Sequence, residues 1–118
     1  MVGKGSAGLV YKAYHTKLSK DVALKCINFY EKEKRKQLIN DLKSLTTMSK
    51  VDDQGLLYIP CDFLVNFYGG FLDEGTVKVV LEFMDKGSLR DAIKKSCMPD
   101  EQVLAMIAYQ VYNLSHRY

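Results

Sequence analysis

Two pairs of predicted strands dominate the hydrophobic pattern of this chain. Residues 8–15 and 21–29 are rich in β-branched and aromatic side chains, and a polar turn separates them. Residues 63–72 and 76–82 form a similar pair across Asp73-Glu74-Gly75, and we expect a β-bulge at Gly69-Gly70. Runs of this kind that are bounded by turn residues are typical of antiparallel hairpins.

Between the two pairs, the apolar positions take the period of an α-helix. Residues 31–48 carry one apolar face, formed by Leu38, Ile39, Leu42 and Leu45. Because a helix buries such a face against another element, we expect this helix to pack on the sheet. Residues 51–61 contain turn formers and a proline, and they are predicted to be a loop without an assigned role.

The last third of the chain is predicted to be helical. Ser88 has the side chain of a helix N-cap and precedes a short helix over residues 89–95. A longer helix is expected over residues 100–116. It is apolar over much of its circumference, at Val103, Leu104, Met106, Ile107, Ala108, Val111, Tyr112 and Leu114. Such a helix needs partners on several sides. The predicted fold class is therefore α+β.

Candidate chemistry lies near the start of the chain. Glycines stand at positions 3, 5 and 8, and Lys25 ends the run Val22-Ala23-Leu24-Lys25. Glycines let bare backbone N–H groups approach phosphate oxygens, and a lysine supplies a positive charge for them. A dinucleotide-binding turn needs a strand before the glycines and a helix after them, whereas residues 9–14 are β-formers. The alternative without a ligand is a plain glycine-rich hairpin.

The glycine turn and the lysine strand together resemble the protein kinase family, because they match its motifs G-x-G-x-x-G-x-V and V-A-I-K. Residues 3–8, 66–71 and 81–89 are most similar to MAP kinase kinases. The resemblance implies a kinase N-terminal lobe, made of a twisted antiparallel sheet with one packed helix, then a hinge, then the first helices of an incomplete helical C-terminal lobe. The corresponding ranges are 1–82, 83–87 and 88–118.

The resemblance also assigns residues to a nucleotide site. In this family a strand lysine holds the α- and β-phosphates of ATP and pairs with a glutamate from the packed helix. Lys25 matches the lysine. Asp41 stands in the place of the glutamate with a shorter side chain, and a solvated aspartate is the alternative; Glu31 and Glu33 are weaker substitutes. Core packing is the alternative for the apolar contacts Val10, Ala23 and Leu81, and Glu82 and Met84 would contribute backbone groups. The implied nucleotide contacts are Val2, Gly3, Lys4, Gly5, Ser6, Gly8, Val10, Ala23, Lys25, Leu81, Glu82 and Met84.

The implied activity is transfer of the γ-phosphate of ATP to Ser, Thr or Tyr of a protein substrate, a MAP kinase. The catalytic-loop and D-F-G motifs, which supply the catalytic aspartate and the metal ligands, are absent from these 118 residues. We therefore expect this chain to bind ATP weakly and to be inactive, and we expect Mg²⁺ to act only in a complete kinase domain. The alternative is a noncatalytic regulatory or interaction module. Sequencing the transcript separates the two: continuation into those motifs favours an enzyme, and a stop after Tyr118 favours the module.

Composition limits the partners and the cellular compartment that we expect for the protein. Lys and Arg exceed Asp and Glu by 17 to 14, a net charge of +3 that is too weak and interspersed to indicate nucleic acid or a membrane surface as a partner. Cys26, Cys61 and Cys97 are far apart and form no C-x-x-C motif, and the two histidines lack metal-ligand spacing. Free thiols are typical of the cytoplasm or nucleus, so we expect one of these compartments.

Overall fold

The structure is a computed structural model that describes residues 2–5, 8–95 and 100–117. Its elements, in chain order, are β1 (Gly3–Gly5), β2 (Gly8–His15), β3 (Lys20–Asn28), α1 (Lys32–Met48), β4 (Lys50–Val51), β5 (Leu57–Tyr58), β6 (Phe67–Asp73), β7 (Thr76–Glu82), α2 (Leu89–Lys94) and α3 (Glu101–Arg117). The chain divides into two compact units, Met1–Phe83 and Met84–Tyr118.

In the described part of the first unit, five strands form an antiparallel sheet in the order β1-β2-β3-β7-β6. Strand β2 has the predicted bounds, and β3 lies one residue earlier than predicted. Val22 and Ile27 of β3 are each only 2% exposed, as suits β-branched residues in a central strand. A sheet with a packed helix is the predicted α+β arrangement, which is confirmed.

Helix α1 packs on this sheet through the predicted apolar face. Leu38 forms a core cluster with Ile27 of β3 and Val79 of β7, and Leu42 and Leu45 pack against that cluster. Burying a leucine side chain contributes about 1.5–3 kcal/mol. The prediction was wrong for Ile39, which is 42% exposed, because consecutive helical residues point about 100° apart.

The hairpin of β6 and β7 turns at Glu74 and Gly75, whose φ angles are 46° and 74°. Positive φ at both central residues defines a type I′ turn, which matches the twist of the flanking strands. A Cβ atom on Gly75 would lie 2.2 Å from a ring carbon of Tyr30, so the turn packs closely against the connection between β3 and α1. The register shifts between Phe67 and Gly69, whereas Gly69 and Gly70 pair regularly with Val80 and Val79, so the irregularity lies just before the position predicted for a bulge.

The segment between α1 and β6 differs from its prediction. Residues 51–61 were expected to be a loop, but β4 and β5 pair there as a short antiparallel ladder. The Asp52 side chain accepts hydrogen bonds from the backbone N–H groups of Gln54 and Leu56, at 2.9 and 2.8 Å, and such a local acceptor stabilises a tight turn. Strand β6 begins at Phe67 rather than at the predicted residue 63.

In the second unit, both predicted helices form. The Ser88 hydroxyl accepts the Asp91 N–H and the Asp91 carboxylate accepts the Ser88 N–H, which is a capping box at the start of α2. Helix α3 exposes large apolar side chains, including Met106, Val111 and Tyr112 at 59–60%. No helix in the described ranges combines the length and the apolar character needed to cross a membrane.

Candidate functional site

Strand register gathers the predicted apolar and phosphate-facing residues on one face of the sheet. Val10 of β2 lies opposite Lys25 of β3, and Ala23 lies opposite Leu81 of β7. Directly opposed residues of antiparallel strands point to the same face, and so do residues two apart in one strand. Val10, Ala23, Lys25 and Leu81 therefore form one continuous patch, which we call the nucleotide face.

Helix α1 reaches the same face beside Lys25. A cavity of about 60 Å³ is lined by Lys25 and Asp41 together with the apolar side chains Ile27, Leu38, Leu42, Leu45, Val79 and Leu81. Lys25 is half-buried and Asp41 is exposed. The predicted partners thus line one cavity across the α1–β3 interface.

The pairing of Lys25 with Asp41 stays a prediction. Within the described residues, the ion pairs closer than 4.0 Å are Lys12–Asp21, Lys34–Glu31, Lys78–Asp73 and Lys86–Asp85. Lys25 and Asp41 are not joined at that distance. Glu31, the weaker substitute, is held by Lys34 at 2.8 Å, so its carboxylate already has a partner.

The glycine-rich hairpin joins β1 to β2, with Gly3 opposite Val10 and Gly5 opposite Gly8. The Val2 N–H extends this ladder by donating to the Val10 carbonyl at 2.8 Å. A Cβ atom on Gly8 would lie 2.0 Å from the Cys26 carbonyl oxygen of β3. Glycine at position 8 is therefore required by close backbone packing, in addition to its predicted part in approaching phosphate. Ser6 lies outside the described residues.

The predicted contact Lys4 lies away from the nucleotide face. It lines a groove of about 750 Å³ together with Leu9, Leu24 and Cys26. Leu24 and Cys26 alternate with Ala23 and Lys25 along β3, so they point to the opposite face of the sheet. Lys4 is therefore grouped with that opposite face.

The end of β7 carries a hydrogen-bond network that the sequence did not reveal. The Glu82 N–H donates to the Asn66 carbonyl at 2.9 Å, and the Glu82 carboxylate accepts from the Asn66 backbone N–H at 3.1 Å and its side-chain amide at 3.3 Å. The Ile59 N–H donates to Asn66 Oδ1 at 3.2 Å. Because the Glu82 N–H already donates to Asn66, the backbone group of Glu82 that remains for a ligand is its carbonyl oxygen.

A second contact fixes the next residue of the chain. The Lys12 ammonium lies 4.9 Å from the centroid of the Phe83 ring, and the same ammonium is 3.1 Å from the Asp21 carboxylate. A cation over an aromatic ring is attracted by the negative face of that ring. Met84, the last predicted contact, is 55% exposed and begins the second unit.

Comparison with known proteins identifies the family of this chain. The protein kinase domain model matches residues 1–115. The chain therefore belongs to the protein kinase family, as its glycine turn and strand lysine predicted.

Within that family the chain is similar to MAP kinase kinases. It is 38% identical over 112 residues to "Dual specificity mitogen-activated protein kinase kinase 1" of Dictyostelium discoideum, covering 94% of this chain and 15% of that protein. It is 33% identical over 113 residues to "Mitogen-activated protein kinase kinase 3" of Arabidopsis thaliana, covering 93% and 20%. It is 35% identical over 111 residues to "Mitogen-activated protein kinase kinase 1c" of Physcomitrium patens, covering 93% and 30%. The chain thus spans less than a third of the length of these relatives.

The residues described do not supply a magnesium site. Protein kinases hold Mg²⁺ with the D-F-G aspartate and the catalytic-loop asparagine, and these motifs are not among the 118 residues. Across the described ranges, no group of three His, Cys, Asp or Glu side chains comes together as a metal site. The described residues therefore do not include the metal ligands of the family.

Proposed function

We propose that this chain is the ATP-binding part of a protein kinase of the MAP kinase kinase type. The whole protein would transfer the γ-phosphate of ATP to Ser, Thr or Tyr of a protein substrate, a MAP kinase. The observation that carries the proposal is the register of β2, β3 and β7, which puts Lys25 opposite Val10 and Ala23 opposite Leu81. A charge for phosphate and an apolar surface for a base thus lie side by side.

Each residue of the nucleotide face has a defined role in this proposal. Val10 and Ala23 offer a small apolar surface over which adenine packs, and Leu81 closes the rear of that surface. Lys25 donates to the α- and β-phosphates, and its half-buried position strengthens a charge–charge contact relative to open water. Asp41, on the same cavity as Lys25, orients the ammonium group when the two approach.

The proposal also covers the metal ion and the cellular compartment. Bound Mg²⁺ neutralises charge on the β- and γ-phosphates in protein kinases, and we assign its ligands to the remainder of a complete kinase domain. Cys26 and Cys61 are free thiols, which supports a reducing compartment, the cytoplasm or nucleus. Cys97 lies outside the described residues.

The test is nucleotide binding by the 118-residue chain. We expect calorimetric titration to show ATP binding that weakens about tenfold or more in Lys25→Met, because the variant loses a charge-assisted contact to phosphate. Lys17→Met, which removes a lysine from the exposed turn between β2 and β3, is the matched control and should bind like the wild type. Equal affinities for Lys25→Met and Lys17→Met would contradict the role of Lys25. Absence of ATP binding by the wild type would contradict the proposed function and favour a noncatalytic module.

A further inference from the structure

The face of the sheet opposite the nucleotide face carries the groove of about 750 Å³. Tyr11 of β2 lies opposite Leu24 of β3, and Leu9 lies opposite Cys26, so two neighbouring strands supply an apolar floor. Helix α1 packs against Ile27, whose side chain points to the other face of β3. The floor therefore stays accessible: Tyr11 is 38% exposed, and Leu9 and Leu24 are half-buried.

Three lysines from separate elements reach this groove. Lys4 of β1, Lys34 of α1 and Lys78 of β7 line it, and we call it the lysine groove. No Asp or Glu is among the described residues that line it. The whole chain has a net charge of only +3, so three lysines around one groove make a local excess of positive charge. Charge complementarity therefore favours a negatively charged ligand.

Two of these lysines already have carboxylate partners. Lys34 lies 2.8 Å from Glu31, and Lys78 pairs with Asp73. These carboxylate side chains are about half exposed, at 50% and 47%, and ion pairs at such positions contribute little to stability. An ammonium group has three N–H donors, so each lysine keeps donors for a second carboxylate. The ion pairs of the described residues do not include Lys4.

We propose that the lysine groove binds a short acidic segment of a partner protein, and that this segment carries one large apolar side chain. The apolar side chain packs on Leu9 and Leu24, and carboxylates on either side of it receive hydrogen bonds from Lys4, Lys34 and Lys78. The volume of the groove lies within the range of about 300–1,000 Å³ that is typical of ligand sites. It therefore suits a few residues of a peptide.

The composition of the floor favours a peptide over a nucleic acid strand. Sites for single strands stack successive bases on several aromatic side chains. Tyr11 is the only aromatic residue among the described residues that line the groove, and the rest of the apolar floor is leucine. Leucine side chains bind an apolar side chain through burial and make no stacking platform.

This inference goes beyond the proposed function, because it concerns the other side of the sheet. Leu24 and Cys26 line the groove, whereas Ala23 and Lys25 alternate with them along β3 and belong to the nucleotide face. The acidic segment and a nucleotide can therefore be bound at the same time.

The first experiment measures binding of a dye-labelled, glutamate-rich heptapeptide with a central phenylalanine to the 118-residue chain by fluorescence anisotropy. We expect Lys34→Gln and Lys78→Gln each to weaken binding about two- to fivefold, because each variant loses a charge–charge contact at the surface. Lys43→Gln is the matched control. It changes the net charge equally, but Lys43 lies roughly half a turn around α1 from Lys34, so the affinity should be unchanged. Equal losses in all three variants, or no binding by the wild type, would overturn the inference.

Further ligands separate the sources of binding. Alanine in place of the peptide's phenylalanine should weaken binding about tenfold or more, because a large apolar side chain is no longer buried. Lysines in place of its glutamates should abolish binding. Saturating ATP should leave the peptide affinity unchanged, and displacement of the peptide by ATP would overturn the inference. A single-stranded oligonucleotide that binds more tightly than the peptide would also overturn it. Peptide binding by a chain that binds no ATP would support this inference and contradict the proposed function.

The second experiment locates the peptide with two thiols of the same chain. Cys26 lines the groove and Cys61 does not, and both are free, half-buried thiols. The acidic peptide should slow alkylation of Cys26 by iodoacetamide, measured by mass spectrometry, and leave the rate at Cys61 unchanged. The protection of Cys26 should persist in Lys43→Gln and decrease in Lys78→Gln. Equal protection of both thiols, or protection of neither, would overturn the inference.

Discussion

The two units of this chain use apolar side chains in opposite ways. The first unit contains every buried hydrophobic residue of the described ranges, namely Val22, Ile27, Leu38, Ile59, Phe67, Val79 and Val80. The described residues of the second unit include none, although α3 is as long as α1, at 17 residues. Of these two helices, α1 therefore has a buried residue through which tertiary packing can stabilise it.

The strongest test of this comparison is Leu38→Ala in α1. Leu38 is 3% exposed within the core cluster, so its truncation should lower the free energy of unfolding by about 2–5 kcal/mol through lost burial and a residual cavity. Urea denaturation of the 118-residue chain measures the change. Ile39→Ala is the matched control at the neighbouring, 42% exposed position, and it should cost less than about 1 kcal/mol. Similar losses for both variants would show that α1 is not held by one face.

Close packing in the first unit extends to the backbone, which Gly8→Ala tests. The new methyl group would meet the Cys26 carbonyl oxygen at 2.0 Å, so β2 and β3 must separate locally. We expect a loss of about 1–3 kcal/mol in thermal or urea unfolding. Gly3→Ala is the control, since nothing lies within 4 Å of a Cβ atom there. If both glycines tolerate alanine equally, the close approach of β2 to β3 is wrong.

In the second unit, helix α2 is stabilised by a local cap rather than by buried side chains. The pKa of Asp91 is a measure of this cap. Hydrogen bonds from the Ser88 backbone N–H and then the Ser88 hydroxyl lower the pKa of the Asp91 carboxyl. Because the pKa is lower in the folded state, the ionised cap contributes its full stability above the ordinary aspartate pKa of about 4. This contribution is lost as the pH falls through the lowered pKa. Carboxyl carbon shifts in an NMR titration measure this.

The corresponding variant is Ser88→Ala, which removes the hydroxyl cap. We expect the Asp91 pKa to rise toward its ordinary value and the amides of α2 to exchange faster, by an amount equivalent to about 1 kcal/mol. Urea unfolding of the first unit should be unchanged. An unaltered Asp91 titration in this variant would contradict the hydrogen bond from the Ser88 hydroxyl to the Asp91 carboxylate.

The smallest effect on stability is expected in α3. Val111 is 60% exposed, so Val111→Gln should change the unfolding midpoint by less than about 0.5 kcal/mol. We expect it to reduce self-association in sedimentation velocity, because exposed apolar patches favour association. Val79→Gln, at a 4% exposed position of β7, is the contrasting variant and should unfold the chain more readily. A monomeric wild type would contradict the expected association.

Local sequence signals predicted most of the first unit. The bounds of β2, the turn at Glu74-Gly75 and the bulge near Gly69 all depend on residues close in the chain, whose backbone preferences are strong. The short hairpin of β4 and β5 was missed although Asp52 and Gly55 signal a turn between apolar residues. Val10, Ala23, Lys25 and Leu81 were proposed from their motifs and share one face of the sheet, and their part in binding a nucleotide stays a prediction.

Long-range polar contacts were the part that sequence could not supply. Asn66 and Glu82 meet because the β6–β7 hairpin brings them opposite each other. From the sequence alone, each of these polar side chains could equally well have been hydrogen-bonded to water. The same holds for Lys12 and Phe83. Whether Asp41 reaches Lys25 depends on where α1 lies relative to β3, which no local propensity encodes.

The strand order described above has a consequence for how the chain folds. Hairpins β2–β3 and β6–β7 join neighbours in sequence and can form early, whereas the β3–β7 ladder pairs Asn28 with Thr76 and Val22 with Glu82 across the whole α1 segment. Closing that long loop costs entropy before its contacts form, so we expect this step to limit the folding rate. Until it occurs, Lys25 and Leu81 belong to separate hairpins. The nucleotide face is therefore expected to be the last surface of the sheet to form during folding.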